Sequence, residues 1–435
     1  MGGFDLSKES TSKTEEQLQV GGVNALKLAA NYGTPLIAYD VGAIKQQIQS
    51  FREAFIRAGI KYRIVYASKA FSSLAMYRLL ANEGVGCDVV SGGELYAALR
   101  GGISPTMIEF HGNNKTPAEL AEAISQGIGC IVVDNFYEIE LLEKICEAQQ
   151  RTVKVSLRVA PGIEAETHQY IATGQSNSKF GFDLDSGQAD QALKQLLHSK
   201  YLQVIGVHCH IGSQIFAIAG FQMAAAKMID VLQRWQEKYA FEAQILNLGG
   251  GFGIKYTTAD QPLKPAEFVS AIITTVQQEA QKKHLQLPEI WIEPGRSLVG
   301  EAGTTLYTVG STKTVPGICN FVAVDGGMGD NIRPALYGAQ YSAYLAKNLQ
   351  EKATQVATIV GKYCESGDVL VKQQKLPAVQ AGDVLAITST GAYGYSMASN
   401  YNRNGRPPVV FCESGHDKLV LKRETYADML SLEVD

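Results

Sequence analysis

The sequence lacks three features that would each assign it to a class of protein. No apolar run approaches the roughly 18 consecutive residues of a membrane-spanning helix, so we expect no span. No block of lysine and arginine is present and the formal net charge is −4, so the sequence argues against nucleic-acid binding. The seven cysteines include no C-x-x-C pair, which argues against a disulfide framework or structural zinc and is typical of a reducing compartment.

The first twenty residues also lack the apolar stretch of a secretory signal. They are polar and acidic, so we expect residues 1–20 to be a disordered tail and the protein to be soluble and cytoplasmic. The hydrophobic fraction of 46% and charged fraction of 19% allow a sizeable core. A length of 435 residues accommodates two or three domains.

Between residues 42 and 303, short apolar runs alternate with amphipathic helical stretches. The runs are "RIVYAS", "VGCDVVS", "MIEFHG", "CIVVDN", "VSLRVAP", "VIGVHCHIG", "ILNLGGG" and "IWIEPG". This alternation predicts an α/β fold with a (β/α)8 TIM-like barrel. Nearly every run leads into glycine or a polar residue. Because the carboxyl ends of barrel strands carry the chemistry, we expect these polar residues to share one face.

Beyond about residue 304 the sequence becomes β-rich, with glycine and proline turns and few helical runs. This pattern predicts a second, mostly antiparallel β domain. The early segment "TPLIAYDVGAI" predicts a strand followed by a helix, and the strand could pair with the C-terminal domain. We therefore expect the β domain to combine residues 21–41 with 304–435.

Lys69 is a candidate for catalysis, and His208 and His210 are candidates for metal binding, but each also has an ordinary structural explanation. Lys69, at the end of "RIVYASKAF", could simply extend into solvent, as most lysines do. His208 and His210 alternate along a predicted strand, so they could share a face and bind a metal, although no third ligand is evident.

Further candidates lie in three loops. The glycines of "NLGGGFG" could approach a phosphate or merely form a tight turn, and they match no nucleotide-binding motif. Glu293 and Arg296 flank a Pro-Gly turn and could be a surface ion pair. Cys364 and Glu365 fall in the β domain, where the cysteine could be buried filler.

Together, a strand-end lysine, histidine and glutamate and a glycine-rich loop match the needs of pyridoxal 5'-phosphate. The lysine forms a Schiff base, a flat ring covers one face of the pyridine, and glycine N–H groups hold the phosphate. A carboxylate keeps the pyridine nitrogen protonated. All four could face one cofactor at the mouth of the barrel.

Ten segments resemble the diaminopimelate decarboxylase family, in order, from about Thr34 to the C-terminus. They are "YASKA", "CDVVSGGEL", "FHGNNKT", "SKFGF", "HCHIGSQ", "LGGGFG", "EPGRSLV", "DGGMGDNIRPALY", "CESGDVL" and "GAYGYSMASNYN". The resemblance implies a fold-type III pyridoxal-phosphate enzyme with an alanine-racemase-like barrel and β domain. It also implies decarboxylation of meso-2,6-diaminopimelate to L-lysine and CO2, the last step of lysine biosynthesis.

The same resemblance implies a set of cofactor-binding residues. Lys69 resembles the Schiff-base lysine, His210 the histidine stacked on the ring, and Glu293 the partner of the pyridine nitrogen. Further residues at cofactor-binding positions are Ser213, Gly250, Gly251, Gly295, Arg296 and Tyr393.

On the substrate side, the resemblance implies a shared site. Residues at substrate-binding positions are Arg296, Arg333, Tyr337, Glu365 and Tyr393. Cys364 resembles a catalytic proton donor. The Cys364–Glu365 pair is supplied across a dimer interface in the family, which implies a homodimer. The family often has proline where this sequence has Lys362 and asparagine where it has Ala160.

Arginine favours a dicarboxylic substrate, since guanidinium groups pair bidentately with carboxylates. A related decarboxylase acting on ornithine or lysine would instead need an acidic residue at that position. Decarboxylation of another amino acid, and a non-catalytic cofactor-binding homologue, remain alternatives on the sequence alone.

Overall fold

The computed structural model describes residues 17–163 and 178–434. Its contacts divide the chain into two compact units. The barrel unit comprises residues 48–253 and 262–297, and the β unit comprises residues up to Gln47, residues 254–261 and residues from Leu298 onward. Among the described residues, no helix is long and apolar enough to cross a membrane.

The barrel unit contains a closed ring of eight parallel strands. Numbered one to eight along the chain, they are Tyr62–Ala67, Gly86–Val89, Ile108–Phe110, Cys130–Val133, Val153–Ala160, Leu202–His208, Ile245–Asn247 and Glu289–Ile292. Each pairs with the next, and strand eight pairs with strand one. The predicted (β/α)8 barrel is confirmed.

Helices follow most barrel strands. They are Leu74–Asn82, Gly92–Arg100, Pro117–Gln126, Phe136–Gln149, Gln188–Leu197, Ile218–Tyr239 and Pro265–Lys282. The helix Pro117–Gln126 shows how the sequence fixes the two ends of such a helix. Thr116 and Glu119 form a capping box before its first turn, and Gly127 ends it in a left-handed conformation with φ of 68°. Two further helices, Val41–Ala58 and Arg296–Val299, include residues of both units.

The β unit is built mainly from antiparallel pairs. Its strands are Gln19–Val20, Val23–Asn24, Leu36–Asp40, Gly303–Val315, Cys319–Val324, Ala343–Leu345, Gln355–Val360, Val369–Leu376, Val384–Thr388, Val409–Glu413 and His416–Leu421. Leu36–Asp40 lies between Gly303–Val315 and Val409–Glu413 in the sheet. The predicted pairing of this early strand with the C-terminal sheet is confirmed.

Two segments differ from the sequence prediction. Residues 1–16 of the expected tail lie outside the described residues. Residues 17–20 are part of the β unit, because Leu18 and Val20 are buried in an apolar cluster. Residues 254–261 also join the β unit, since Ile254 and Tyr256 pack in its other apolar cluster.

Candidate active site

Glu293 lies at the carboxyl end of strand eight, and its side chain is only 8% exposed. Three side chains from other strand ends hydrogen-bond its carboxylate. The Oε1 atom accepts from Asn247 Nδ2 at 2.8 Å and from His111 Nε2 at 3.1 Å, and Oε2 accepts from His208 Nε2 at 3.3 Å. This is the convergence on one barrel face that the sequence predicted.

The two histidines differ in charge. Burial opposes the imidazolium of His111, but the neighbouring carboxylates of Glu293 and Glu109 outweigh it and raise the pKa to about 10. Burial lowers the pKa of His208 to about 4, so this ring is neutral near pH 7. Burial also opposes ionisation of Glu293, yet the His111 cation holds the pKa of Glu293 well below its usual range. Glu293 is therefore a buried, charged carboxylate.

Glu109 and Asn247 complete this network. Glu109 Oε2 accepts a hydrogen bond from Asn247 Nδ2 at 3.0 Å and lies 3.3 Å from His111 Nε2. Burial raises the pKa of Glu109 to about 7. The sequence analysis did not predict Glu109, His111 or Asn247 as site residues. Their positions at or near the carboxyl ends of predicted strands could have indicated them.

The glycine-rich loop follows strand seven directly and is fixed by the same asparagine. Asn247 Oδ1 accepts from the Gly249 N–H at 2.9 Å, and His210 Nδ1 accepts from the Gly250 N–H at 3.3 Å. A Cβ atom on Gly250 would lie 2.1 Å from the Glu293 carbonyl oxygen. The backbone is therefore as close to strand eight as glycine permits, and a larger residue would close this cradle.

Lys69 lies in a short 3-10 turn, Ser68–Ala70, after strand one, and its side chain is exposed. The Ser68 N–H donates to Asp88 Oδ1 at 2.8 Å, which ties the turn to strand two. A Cβ atom on Gly295 would lie 2.7 Å from Ala67 Cβ, so the 294–295 turn packs against the end of strand one. These contacts place the backbone beside Lys69 next to the turn that follows Glu293.

Arg296 is 7% exposed, and its Nη2 donates to Ser213 Oγ at 3.1 Å. A surface ion pair between Glu293 and Arg296 is therefore the wrong explanation, because both side chains are buried and Glu293 bonds to other groups.

The hypothesis that His208 and His210 bind a metal together is not supported, because the two side chains have different partners. His208 bonds to Glu293, whereas His210 bonds to the glycine loop. Among the described residues, His111, His208 and Glu293 have potential ligand atoms within 4.8 Å of one another. Hydrogen bonds already join both histidines to the carboxylate.

The β unit holds the other predicted residues in two groups. In the first, Arg333 is 6% exposed and begins the helix Arg333–Tyr337. Its Nη1 donates to Tyr256 Oη at 2.9 Å and to Tyr341 Oη at 2.7 Å. Its guanidinium carbon lies 6.0 Å from the ring centre of Tyr337 and 5.7 Å from that of Tyr393. Arg333, Tyr337 and Tyr393 are thus brought together.

The second group is an exposed loop that carries Cys364 and Glu365. The Cys364 N–H donates to Asn402 Oδ1 at 3.1 Å, and Tyr401 Oη donates to Glu365 Oε1 at 2.5 Å. Cys364 is exposed, whereas five of the other cysteines are buried. It is therefore not buried filler.

A barrel with a buried anionic glutamate, a lysine just after a strand end and a glycine-rich loop defines a class of enzyme that binds pyridoxal phosphate. The comparisons agree with this class. Residues 41–300 match the family model described as "Pyridoxal-dependent decarboxylase, pyridoxal binding domain".

Relatives give the family more narrowly. The chain is 57% identical to a diaminopimelate decarboxylase of Bacillus subtilis (strain 168), over 99% of this chain and 98% of the relative. It is 53% identical to one from Bacillus methanolicus, over 95% and 96%. A solved diaminopimelate decarboxylase from M. jannaschii, in complex with L-lysine, matches with a TM-score of 0.91 at 38% identity, over 97% and 96% of the two chains. The chain belongs to the diaminopimelate decarboxylase family of pyridoxal-dependent decarboxylases.

Proposed function

We propose that this protein decarboxylates meso-2,6-diaminopimelate to L-lysine and CO2, the last step of lysine biosynthesis. The observation that carries the proposal is the full-length identity of 57% to a relative named for this reaction. The buried, ionised Glu293 supports the use of pyridoxal phosphate, because an ionised carboxylate would keep the ring nitrogen of the cofactor protonated.

Most of the residues that would bind the cofactor belong to the barrel unit, and Tyr393 of the β unit would touch both cofactor and substrate. Lys69 would hold the cofactor through its amine, Glu293 would pair with the ring nitrogen, and His210 would cover the ring. The phosphate would be held by Ser213, Gly250, Gly251, Gly295 and Arg296. When bound, pyridoxal phosphate supplies an electron sink for the pair of electrons that departing CO2 leaves on the substrate carbon.

The distal carboxylate of the substrate suits Arg333. Its Nη1 donates to the hydroxyl groups of Tyr256 and Tyr341, so these contacts orient the guanidinium without pairing it with a carboxylate. A buried, pre-oriented guanidinium binds a carboxylate at little further cost in side-chain entropy. A substrate that ends in an ammonium group would be repelled there. Arg296, Tyr337, Glu365 and Tyr393 would complete the substrate site.

We propose Cys364 as the proton donor to the substrate carbon and a homodimer in which each site takes Cys364 and Glu365 from the partner. The exposure of both residues in this chain supports a role at a surface that another copy covers. We also propose a cytoplasmic location, which the scattered free cysteines support.

The test is CO2 release from meso-diaminopimelate with and without added pyridoxal phosphate. Lys69→Ala should abolish turnover and the visible absorption of the bound cofactor. Lys61→Ala, at the opposite end of the same strand, is the matched control and should retain both.

Two outcomes would contradict the proposal. Turnover of ornithine or arginine with none of diaminopimelate would identify a different decarboxylase. Cofactor binding without turnover of any amino acid would identify a non-catalytic homologue.

A further inference from the structure

Two loops of the β unit meet on the side chain of Asp368. One is the glycine-rich segment 326–329, and the other is 361–367, which contains Cys364 and Glu365. Asp368 is 3% exposed. Its Oδ1 accepts from the Met328 N–H at 2.6 Å, and its Oδ2 accepts from the Tyr363 N–H at 2.9 Å. One carboxylate therefore fastens both loops.

Backbone hydrogen bonds close the second loop around the same residue. The Gly361 N–H donates to the Asp368 carbonyl at 3.1 Å, and the Asp368 N–H donates to the Glu365 carbonyl at 3.1 Å. The Lys362 N–H donates to the Gly326 carbonyl at 3.0 Å, which gives the two loops a second connection. Cys364 lies at the exposed tip of a loop that is fixed at its base.

The glycines of both motifs make room for this carboxylate. A Cβ atom on Gly361 would lie 2.2 Å from Asp368 Oδ2, and one on Gly327 would lie 2.5 Å from Oδ1. Only glycine lets the two backbones approach the carboxylate from both sides. This close approach explains why glycine stands at position 327 in "DGGMGDN" and at position 361 in "GKYCESGD". Neither glycine has a proposed catalytic role.

We propose that Asp368 is a positioning residue that sets the location of Cys364 by fastening its loop to segment 326–329. This inference rests on the proposed function, in which Cys364 donates a proton. A carboxylate that accepts two N–H groups holds a loop more firmly than neutral hydrogen bonds do.

Replacing Asp368 should leave the contacts of Arg333 unchanged. Arg333 is held by Tyr256 and Tyr341, and neither contact involves Asp368. Loss of the Asp368 carboxylate should therefore displace Cys364 together with Glu365 on the same loop, and leave the Arg333 anchor in place. In kinetic terms, kcat should fall by a larger factor than KM rises.

The experiment replaces Asp368→Asn, which keeps the shape but turns one acceptor into a donor facing an N–H group. We expect kcat to fall by about tenfold or more, with a smaller change in KM and an unchanged affinity for pyridoxal phosphate. Asp383→Asn is the matched control. Asp383 is also buried in the β unit and accepts from the Gln380 N–H at 2.9 Å, so this variant should keep kcat.

A double variant separates positioning from general stability. If Asp368 acts through Cys364, Asp368→Asn should cause no further loss of kcat in a Cys364→Ala background. An additive loss, or a normal kcat for Asp368→Asn, would overturn the inference. If wild type fails to release CO2 from meso-diaminopimelate, the proposed function fails instead, and full activity of Cys364→Ala refutes the role of the cysteine.

Should Asp368→Asn fail to fold, Asn402→Gly tests the same loop. Asn402 is exposed, accepts from the Cys364 N–H and has φ of 51°, which glycine adopts without strain. This variant should also lower kcat by a larger factor than it raises KM. An unchanged kcat would show that the loop contacts do not set the position of Cys364, and the inference would be wrong.

Discussion

Glu293 can remain ionised inside the barrel because His111 supplies a positive charge 3.1 Å away. His208 contacts the same carboxylate but is neutral, so the two histidines perform different tasks. A buried carboxylate without a cationic partner would take up a proton. The charge on Glu293, and with it the proposed pairing of Glu293 with the cofactor nitrogen, depends on a residue that only the structure identified.

We predict that His111→Gln lowers the free energy of unfolding by about 3 kcal/mol near pH 6.5, because it leaves buried carboxylates without their cation. The pH dependence should also change. The pKa of His111 is raised from 6.5 to about 10, so its contribution to stability is complete below pH 6.5 and is lost as pH rises toward 10. Urea unfolding of the apoenzyme should show this decline in wild type.

Glu109 and Asp88 also make the free energy of unfolding fall as pH rises, but at lower pH than His111 does. Burial raises their pKa values to about 7 and about 6, so ionising them costs more in the folded state and stability falls as pH rises. Above pH 7 His111 adds to this decline, and buried cysteines add to it at more alkaline pH, because burial raises their pKa values. The decline above pH 7 should therefore be shallower in His111→Gln than in His208→Gln. An equal slope in both variants would contradict the assignment of the charge to His111.

At the scale of elements, the strands could be predicted and the network that joins them could not. Most barrel strands are short runs rich in β-branched or aromatic residues, and nearly every one leads into glycine or a polar residue. Glu109 lies on strand three, His111 directly follows it, and Asn247 ends strand seven, which is not a neighbour of strand three in the ring. Their side chains meet only because the barrel closes, and no local pattern encodes that meeting.

The glycine loop after strand seven gives an element-scale prediction. Gly250→Ala should weaken binding of pyridoxal phosphate by at least about tenfold, because the new Cβ forces the loop away from strand eight. Gly93→Ala is the control, since its Cβ would lie 3.7 Å from Ser91 Oγ, an ordinary contact. Absorption titration of both apoenzymes measures the affinities. Equal affinities would show that the close approach at Gly250 is not needed for binding.

At the scale of the whole molecule, the sequence predicted two units and the strand that residues 36–40 add to the second. It did not predict that residues 254–261 belong to the β unit. Tyr256 joins that unit through packing with Tyr341, whose ring centre lies 5.2 Å away, and this partner is distant along the chain. Such long-range packing leaves no periodic signal in the sequence.

The proposed homodimer gives a prediction at this scale. Lys69→Ala and Cys364→Ala chains, each with little activity alone, should recover part of the wild-type activity when unfolded together and refolded as a mixture. Shared sites give hybrid dimers one site with both residues intact. Mixing Lys69→Ala with a Lys69→Ala, Cys364→Ala double variant is the control and should recover nothing. No recovery in the first mixture would argue that each site is built from one chain.

The strand Leu36–Asp40 has a consequence for how the chain is made. It is synthesised before any barrel strand, yet its two sheet neighbours, Gly303–Val315 and Val409–Glu413, are synthesised after all of them. The barrel unit is complete at residue 297 and can fold while synthesis continues, since domains fold as units. The β unit cannot close its sheet until residue 413 has emerged. A ribosome stalled between these points would therefore carry a finished barrel and an early apolar strand that still lacks at least one of its partners.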